Sequence, residues 1–146
     1  MIIVVDTNIV FSALLNPNSL IGELLMNVQE KITFVAPEFL IDEIEKYSPK
    51  IEKFSKLDAH YINILKSCIW KVITFVNEAK ISDYNWTKAY QLLENIDEKD
   101  TPFLALALQL NSQIWTGDKK LISGISKKSL SNYFLQTKDL EKFLLD

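Results

Sequence analysis

The sequence predicts an α/β protein, a three-layer α/β/α sandwich built on a central, mainly parallel sheet. Short apolar runs alternate with longer segments of helical apolar spacing, which is the pattern of right-handed βαβ units. The first run, Ile2–Val5, shows no polar alternation, as expected for a parallel strand covered on both faces. The 146 residues, 48% of them hydrophobic, are enough for one domain with one core, covering 1–146.

Five strands are predicted in order along the chain. They cover residues 2–5, 32–35, 72–76, 114–115 and 133–135. Helical spacing between and after them predicts helices over 8–15, 19–29, 37–47, 57–69, 84–95, 101–110, 118–123 and 138–144. Pro37 suits the first turn of the third helix, and Pro49 should end that helix.

Composition limits the classes of function. The chain lacks an apolar run of about 18 residues and a secretory leader, so we expect a cytoplasmic protein that does not enter membranes. The single cysteine, Cys68, excludes an internal disulfide and a thiolate metal cluster. A net charge of -3 and a pI near 5.2 argue against a generic basic nucleic-acid coat. All sixteen basic residues are lysines, which makes base-specific readout by arginine impossible.

Four acidic residues stand out because they border apolar segments: Asp6, Glu43, Asp100 and Asp118. Asp6 and Asp118 directly follow predicted strands, so both belong at the carboxyl edge of a parallel sheet, where ligands bind in open α/β folds. With Leu40 as zero, Glu43 falls at about -60° on its helix and shares the apolar stripe. Asp100 likewise heads the apolar face of the helix that follows it.

Four carboxylates gathered at one edge would repel one another unless divalent cations neutralised them. Oxygen ligands favour Mg²⁺ or Mn²⁺, and such ions support phosphodiester hydrolysis. The predicted chemistry is therefore that of a metal-assisted nuclease. Thr7, Asn8 and Thr116 are candidates to hydrogen-bond a ligating carboxylate or a metal-bound water.

Each acid also has an ordinary structural explanation. Asp6, Asp100 and Asp118 could be helix caps or turn residues, and Glu43 could be a hydrogen-bonded buried glutamate. Asp97 is either an additional ligand or, as we favour, a solvated loop residue. His60 is expected to be structural. Eight lysines are candidates for phosphate contacts, although most such residues are only solvated: Lys46, Lys50, Lys53, Lys56, Lys119, Lys120, Lys127 and Lys128.

Three segments in this order resemble the PIN-domain family: 5–9 with Asp6, 97–107 with Asp100, and 115–121 with Asp118; Glu43 lies in an early helix between them. The resemblance covers residues 1 to 123. It implies an α/β/α sandwich and a Mg²⁺- or Mn²⁺-dependent endoribonuclease whose acids are Asp6, Glu43, Asp100 and Asp118. Many small members of the family are toxins that form homodimers and are inhibited by a small antitoxin, and the resemblance extends that expectation to this chain.

Two other classes of function remain open. A phosphatase or receiver-like domain would use Asp6 as a phosphorylated nucleophile, but Asp6-Thr7-Asn8 lacks the second aspartate of a common phosphatase pattern. A non-catalytic module would keep the fold and bind RNA or a protein, and its RNA binding would survive chelation of metals.

Overall fold

Five parallel strands form the sheet in a computed structural model that describes residues 1–117, 121–124 and 130–145. The strands are β1 (Ile2–Val5), β2 (Thr33–Pro37), β3 (Ile73–Val76), β4 (Gln113–Trp115) and β5 (Phe134–Leu135). Their order is β3-β2-β1-β4-β5, and every pairing is parallel. Strand β1 is therefore central, with Val4 opposite Val35 on one side and Ile114 on the other. All five predicted strands are confirmed, with ends shifted by one or two residues.

The helices with described bounds are α1 (Thr7–Leu15), α2 (Leu20–Asn27), α3 (Phe39–Lys46), α4 (Ser48–Ser55), α5 (Ala59–Val72), α6 (Asp83–Leu93), α7 (Thr101–Gln109) and α8 (Thr137–Leu145). Residues 121–124 are also helical, whereas the first half of the predicted helix 118–123 lies outside the described residues. Short 3-10 turns occur at Glu78–Lys80, Glu98–Asp100 and Ser131–Tyr133.

The strand order explains the three layers. The chain moves outward from β1 to β2 and β3 through α1 to α5, then crosses back to β4 through α6 and α7. Right-handed crossovers in opposite directions place their helices on opposite faces of the sheet. Helix α7 packs on β1, β2 and β4 with α6 outside it, while α1 packs with α2, α3, α4 and α5. The predicted α/β/α sandwich is confirmed.

The core is continuous across the sheet. Ile3, Val4 and Val5 of β1 are all buried, as the unbroken apolar run predicts. On the sheet, the rings of Phe34 and Trp115 stack with their centroids 5.6 Å apart. No single described helix is long and apolar enough to cross a membrane; α1 and α2 meet that test only as a pair, bent by 112° at its break.

The prediction for Pro37 is wrong, and the prediction for Pro49 is correct but incomplete. Pro37 does not begin a helix: it is the last residue of β2, where it pairs with Val76, and the helix begins only at Phe39. Pro49 does end the preceding helix, as predicted, but it also stands in the first turn of α4, which we did not predict. A proline lacks the N–H that a helix interior requires and tolerates only the first turn, so one residue both ends α3 and starts α4.

Candidate carboxylate site

Asp6 lies at the carboxyl end of the central strand. It follows Val5 directly and occupies the N-cap position of α1, yet its side chain makes no capping hydrogen bond. Instead its Oδ2 atom accepts a hydrogen bond from Thr116 Oγ1, with 2.7 Å between the oxygens. Both side chains are buried, Asp6 at 3% exposure and Thr116 at 0%. The simple capping explanation for Asp6 therefore fails, and the carboxylate is held by the residue that follows β4.

Glu43 is the second carboxylate at this edge. It is half-buried on α3, and its Oε1 atom accepts a hydrogen bond from Thr7 Oγ1 at 2.6 Å. Burial raises the pKa of Glu43 above its usual value; the Thr7 hydrogen bond and the charges of Lys99 and Lys46 act in the opposite direction, and the charge of Asp97 adds to the rise. The predicted inward orientation of Glu43 is borne out, while Glu38, Asp42 and Glu45 are exposed.

Contacts from two other elements fix the helix that carries Glu43. At its amino end, Phe39 N donates to Glu78 Oε1 at 2.6 Å, so a side chain beyond β3 caps α3. Near its other end, buried Lys66 of α5 lies 3.1 Å from Glu45 Oε1 and 2.8 Å from Ser48 Oγ. These contacts hold both ends of α3 and thereby the position of Glu43.

Asp100 lies at the start of α7, in the opposite layer from Glu43. It is half-buried at the N-cap position of α7, its side chain makes no capping hydrogen bond, and its Oδ2 atom is buried. The helix it precedes packs directly on β1 and β4. Asp97, by contrast, accepts a hydrogen bond from Lys99 N at 3.1 Å and caps the turn Glu98–Asp100. This supports the loop interpretation of Asp97, although its charge reaches Glu43.

The fourth predicted acid, Asp118, lies outside the described residues, as do Lys119, Lys120, Lys127 and Lys128. Within the described ranges, no three Asp, Glu, His or Cys side chains form a group that could hold a metal ion. The donor set nevertheless suits Mg²⁺ or Mn²⁺, because Asp6, Glu43 and Asp100 present only carboxylate oxygens and Asp6 is buried with a hydroxyl donor. These residues fit a hard divalent cation and do not fit zinc.

The predicted polar neighbours separate into two groups. Thr7 and Thr116 both bond a carboxylate, as expected, whereas Asn8 is exposed and lines a small groove of about 160 Å³ with Lys50. Lys50 Nζ lies 5.7 Å from the centre of the Phe11 ring in that groove.

The other candidate cations lie further out. Lys53 lies over the exposed Phe54 ring, and Lys56 and His60 are exposed. The sequence analysis missed Lys99, whose place directly before Asp100 was the available signal.

Comparisons with known proteins agree with the fold. A family model described as PIN domain matches residues 4–138. The chain is 32% identical over 124 residues to an uncharacterized protein of Methanocaldococcus jannaschii, an alignment that covers 83% of this chain and 73% of the relative. Its fold is similar to that of a chain in the crystal structure of VapBC2 from Rickettsia felis bound to a DNA fragment from their promoter. That match has a TM-score of 0.66 and 15% identity, and covers 93% of this chain and 98% of the other.

Proposed function

The chain belongs to the PIN-domain family, and we propose that it is a Mg²⁺- or Mn²⁺-dependent endoribonuclease that hydrolyses RNA phosphodiester bonds. The observation that carries the proposal is the pair of threonine-to-carboxylate hydrogen bonds at the carboxyl edge of the sheet, Thr116 to Asp6 and Thr7 to Glu43. Purely capping carboxylates would bond helix N–H groups instead. These two are oriented by hydroxyl donors from separate elements, as metal-ligating carboxylates commonly are.

In this proposal Asp6, Glu43, Asp100 and Asp118 hold the cations. Divalent ions bound there would supply Lewis-acid stabilisation of the charge that develops on the phosphate and would activate water. The chain's own groups orient the site. Thr7 and Thr116 fix one oxygen each of Glu43 and Asp6. Because α7 packs on β1, Asp100 at its start would approach the same edge of the sheet from the opposite layer.

Lysines near the carboxylates would guide the substrate. The charges of Lys99 and Lys46 act against the rise in the pKa of Glu43, so both lysines lie near that side chain. A phosphate approaching the acidic edge would therefore meet positive charge as well. Lysine offers a point charge without the planar fork of arginine, which favours contact with the backbone of RNA over reading of its bases.

The biological role we propose is that of a toxin controlled by a small antitoxin protein, acting as a homodimer. The family membership and the similarity of fold to a chain of the VapBC2 assembly support it. Co-expression with the reading frame next to its gene, followed by purification of the complex, tests the partner. We expect the protein to cleave RNA once that partner is removed. Equal cleavage with and without the partner would contradict the toxin role.

The decisive experiment is cleavage of a mixed structured RNA pool by purified protein with Mn²⁺, Mg²⁺ or a chelator. We expect cleavage only with metal, and its loss in Asp6→Asn, Glu43→Gln, Asp100→Asn and Asp118→Asn. Asp42→Asn is the matched control, because Asp42 precedes Glu43 on α3 but is exposed. RNA binding that persists in chelator, with no cleavage under any condition, would overturn the nuclease in favour of a binding module.

A further inference from the structure

An open groove of about 550 Å³ lies between α3, α6 and the start of α7. Its walls include Phe39, Trp86 and Tyr90, with Lys99, Thr101 and Pro102 at one end, and we call it the aromatic groove. Its volume falls within the roughly 300–1,000 Å³ that is typical of sites for small organic groups.

The aromatic groove lies next to two of the predicted acids, Glu43 and Asp100, along the chain. Lys99 and Thr101 line it and flank Asp100 in the chain. Phe39 precedes Glu43 by four residues on α3, and side chains with that spacing lie one turn apart on the same helix face. A group resting on Phe39 would therefore be about 6 Å along the helix from Glu43.

The rings in this groove are held in place and partly open. Trp86 and Tyr90 are four residues apart on α6, so their rings neighbour each other on one face. The indole of Trp86 donates to Glu78 O at 3.4 Å, and Phe39 packs edge-on against Phe103 with their ring centroids 6.4 Å apart. Tyr90 remains 49% exposed. Fixed, accessible aromatic faces are stacking platforms for nucleobases.

We infer that the aromatic groove binds an unpaired base of the RNA strand whose phosphate reaches the carboxylate site; this inference rests on the proposed function. Lys99 supplies the positive charge that complements the phosphate, and the carboxylate of Glu98 at the groove can accept a hydrogen bond from an exocyclic amino group. A base inside a duplex is stacked on its neighbours and cannot lie on Tyr90.

The test compares two labelled probes of equal length by fluorescence anisotropy: a short single-stranded RNA and an abasic ribose-phosphate strand. Binding is measured in chelator, so that no strand is cut. Wild type should bind the base-bearing strand on the order of 10-fold more tightly than the abasic strand. Tyr90→Ala should lose that preference and Tyr90→Phe should keep it. Tyr84→Ala is the matched control, since Tyr84 is on the same helix, is 74% exposed and lies outside the groove.

Lys99→Ala should weaken binding of both strands by a similar factor, because a phosphate contact does not depend on the base. The inference is overturned if wild type binds both strands equally, including no measurable binding of either, or if Tyr90→Ala keeps the full preference. If wild type cleaves RNA with metal but binds both strands equally, the nuclease proposal holds and the groove inference is wrong. If Tyr90→Ala loses the base preference but the wild type cleaves no RNA, the groove is correct and the nuclease is wrong.

Discussion

The hydroxyl of Thr7 donates to the carboxylate of Glu43 across 2.6 Å, joining the first turn of α1 to the middle of α3. The residue before Thr7 is Asp6, whose own carboxylate accepts from Thr116. A single dipeptide therefore takes part in both hydrogen bonds, and the two carboxylates are positioned relative to each other through adjacent residues of the chain.

Replacing Thr7 by valine keeps the shape of the side chain and removes its hydroxyl. We expect RNA cleavage to fall about 10- to 100-fold and the Mn²⁺ requirement to rise, because Glu43 loses the donor that orients it. Thr7→Ser should restore most of the activity. Cleavage rates measured against Mn²⁺ concentration check this, and a valine variant with the wild-type metal response would show that the hydrogen bond has no positioning role.

Thr116→Val should lower the free energy of unfolding by about 1.5–3 kcal/mol, since it removes a buried hydrogen bond to a charged carboxylate. Urea unfolding at pH 7 measures the difference. In an Asp6→Asn background, Thr116→Val should lower the free energy of unfolding by less, because the acceptor is then neutral. Equal costs in the two backgrounds would contradict a direct interaction between the Thr116 hydroxyl and the Asp6 carboxylate.

Divalent cations should raise the melting temperature of the wild-type protein as ligands of the native state. At a hundredfold excess over the dissociation constant, the stabilisation is about 2.7 kcal/mol, or about 5–10 °C for a chain of this size. Asp6→Asn should melt higher than wild type without metal, because it removes a like charge, and should lose the metal-dependent rise. Asp42→Asn should respond to Mn²⁺ as wild type does; a thermal scan in which all three proteins respond alike excludes Asp6 as a ligand.

Glu43→Gln should change how stability depends on pH. Burial raises the pKa of Glu43 above 4.5, so the folded state binds this proton more tightly than the unfolded state. The protonated side chain of Glu43 therefore adds to the free energy of unfolding at acidic pH. This contribution is lost as the pH rises through the raised pKa. Without divalent cations, Glu43→Gln should therefore be more stable than wild type at pH 7, with the gain shrinking as pH falls through the raised pKa of Glu43 and no longer changing below 4.5. Chemical denaturation of both proteins at several pH values measures this difference in stability. A difference that does not change with pH would contradict the raised pKa of Glu43.

The features that sequence reasoning predicted correctly depend on local pattern. Apolar runs such as Ile2–Val5 located the strands, since a parallel strand buried on both faces has no polar alternation. Helical periodicity separated inward Glu43 from exposed Asp42, because the two differ by 100° around the same helix. Thr7 and Thr116 were predicted as partners of carboxylates, but which residue bonds which depends on the packing of β4 against β1 and of α3 against α1.

The remaining features depend on how distant segments meet. Pro49 ends a helix in the same way whether a loop or a new helix follows it. A helix, α4, forms here because Ile51 packs into the core. The capping of α3 by Glu78 joins residues 39 positions apart, and no periodicity predicts it. The aromatic groove requires α3, α6 and α7 together, so its residues look like ordinary surface and core positions in the sequence. Asp118 remains a prediction.

The central position of β1 has a consequence for synthesis of the protein. Thr116 follows Asp6 by 110 residues, directly after the strand that pairs with β1 from the other half of the chain. A nascent or truncated chain that stops before β4 cannot hold Asp6 in its final orientation or place α7 on the sheet between β1 and β4. The carboxylate of Asp6 would thus reach its final orientation only once β4 has been made and has paired with β1.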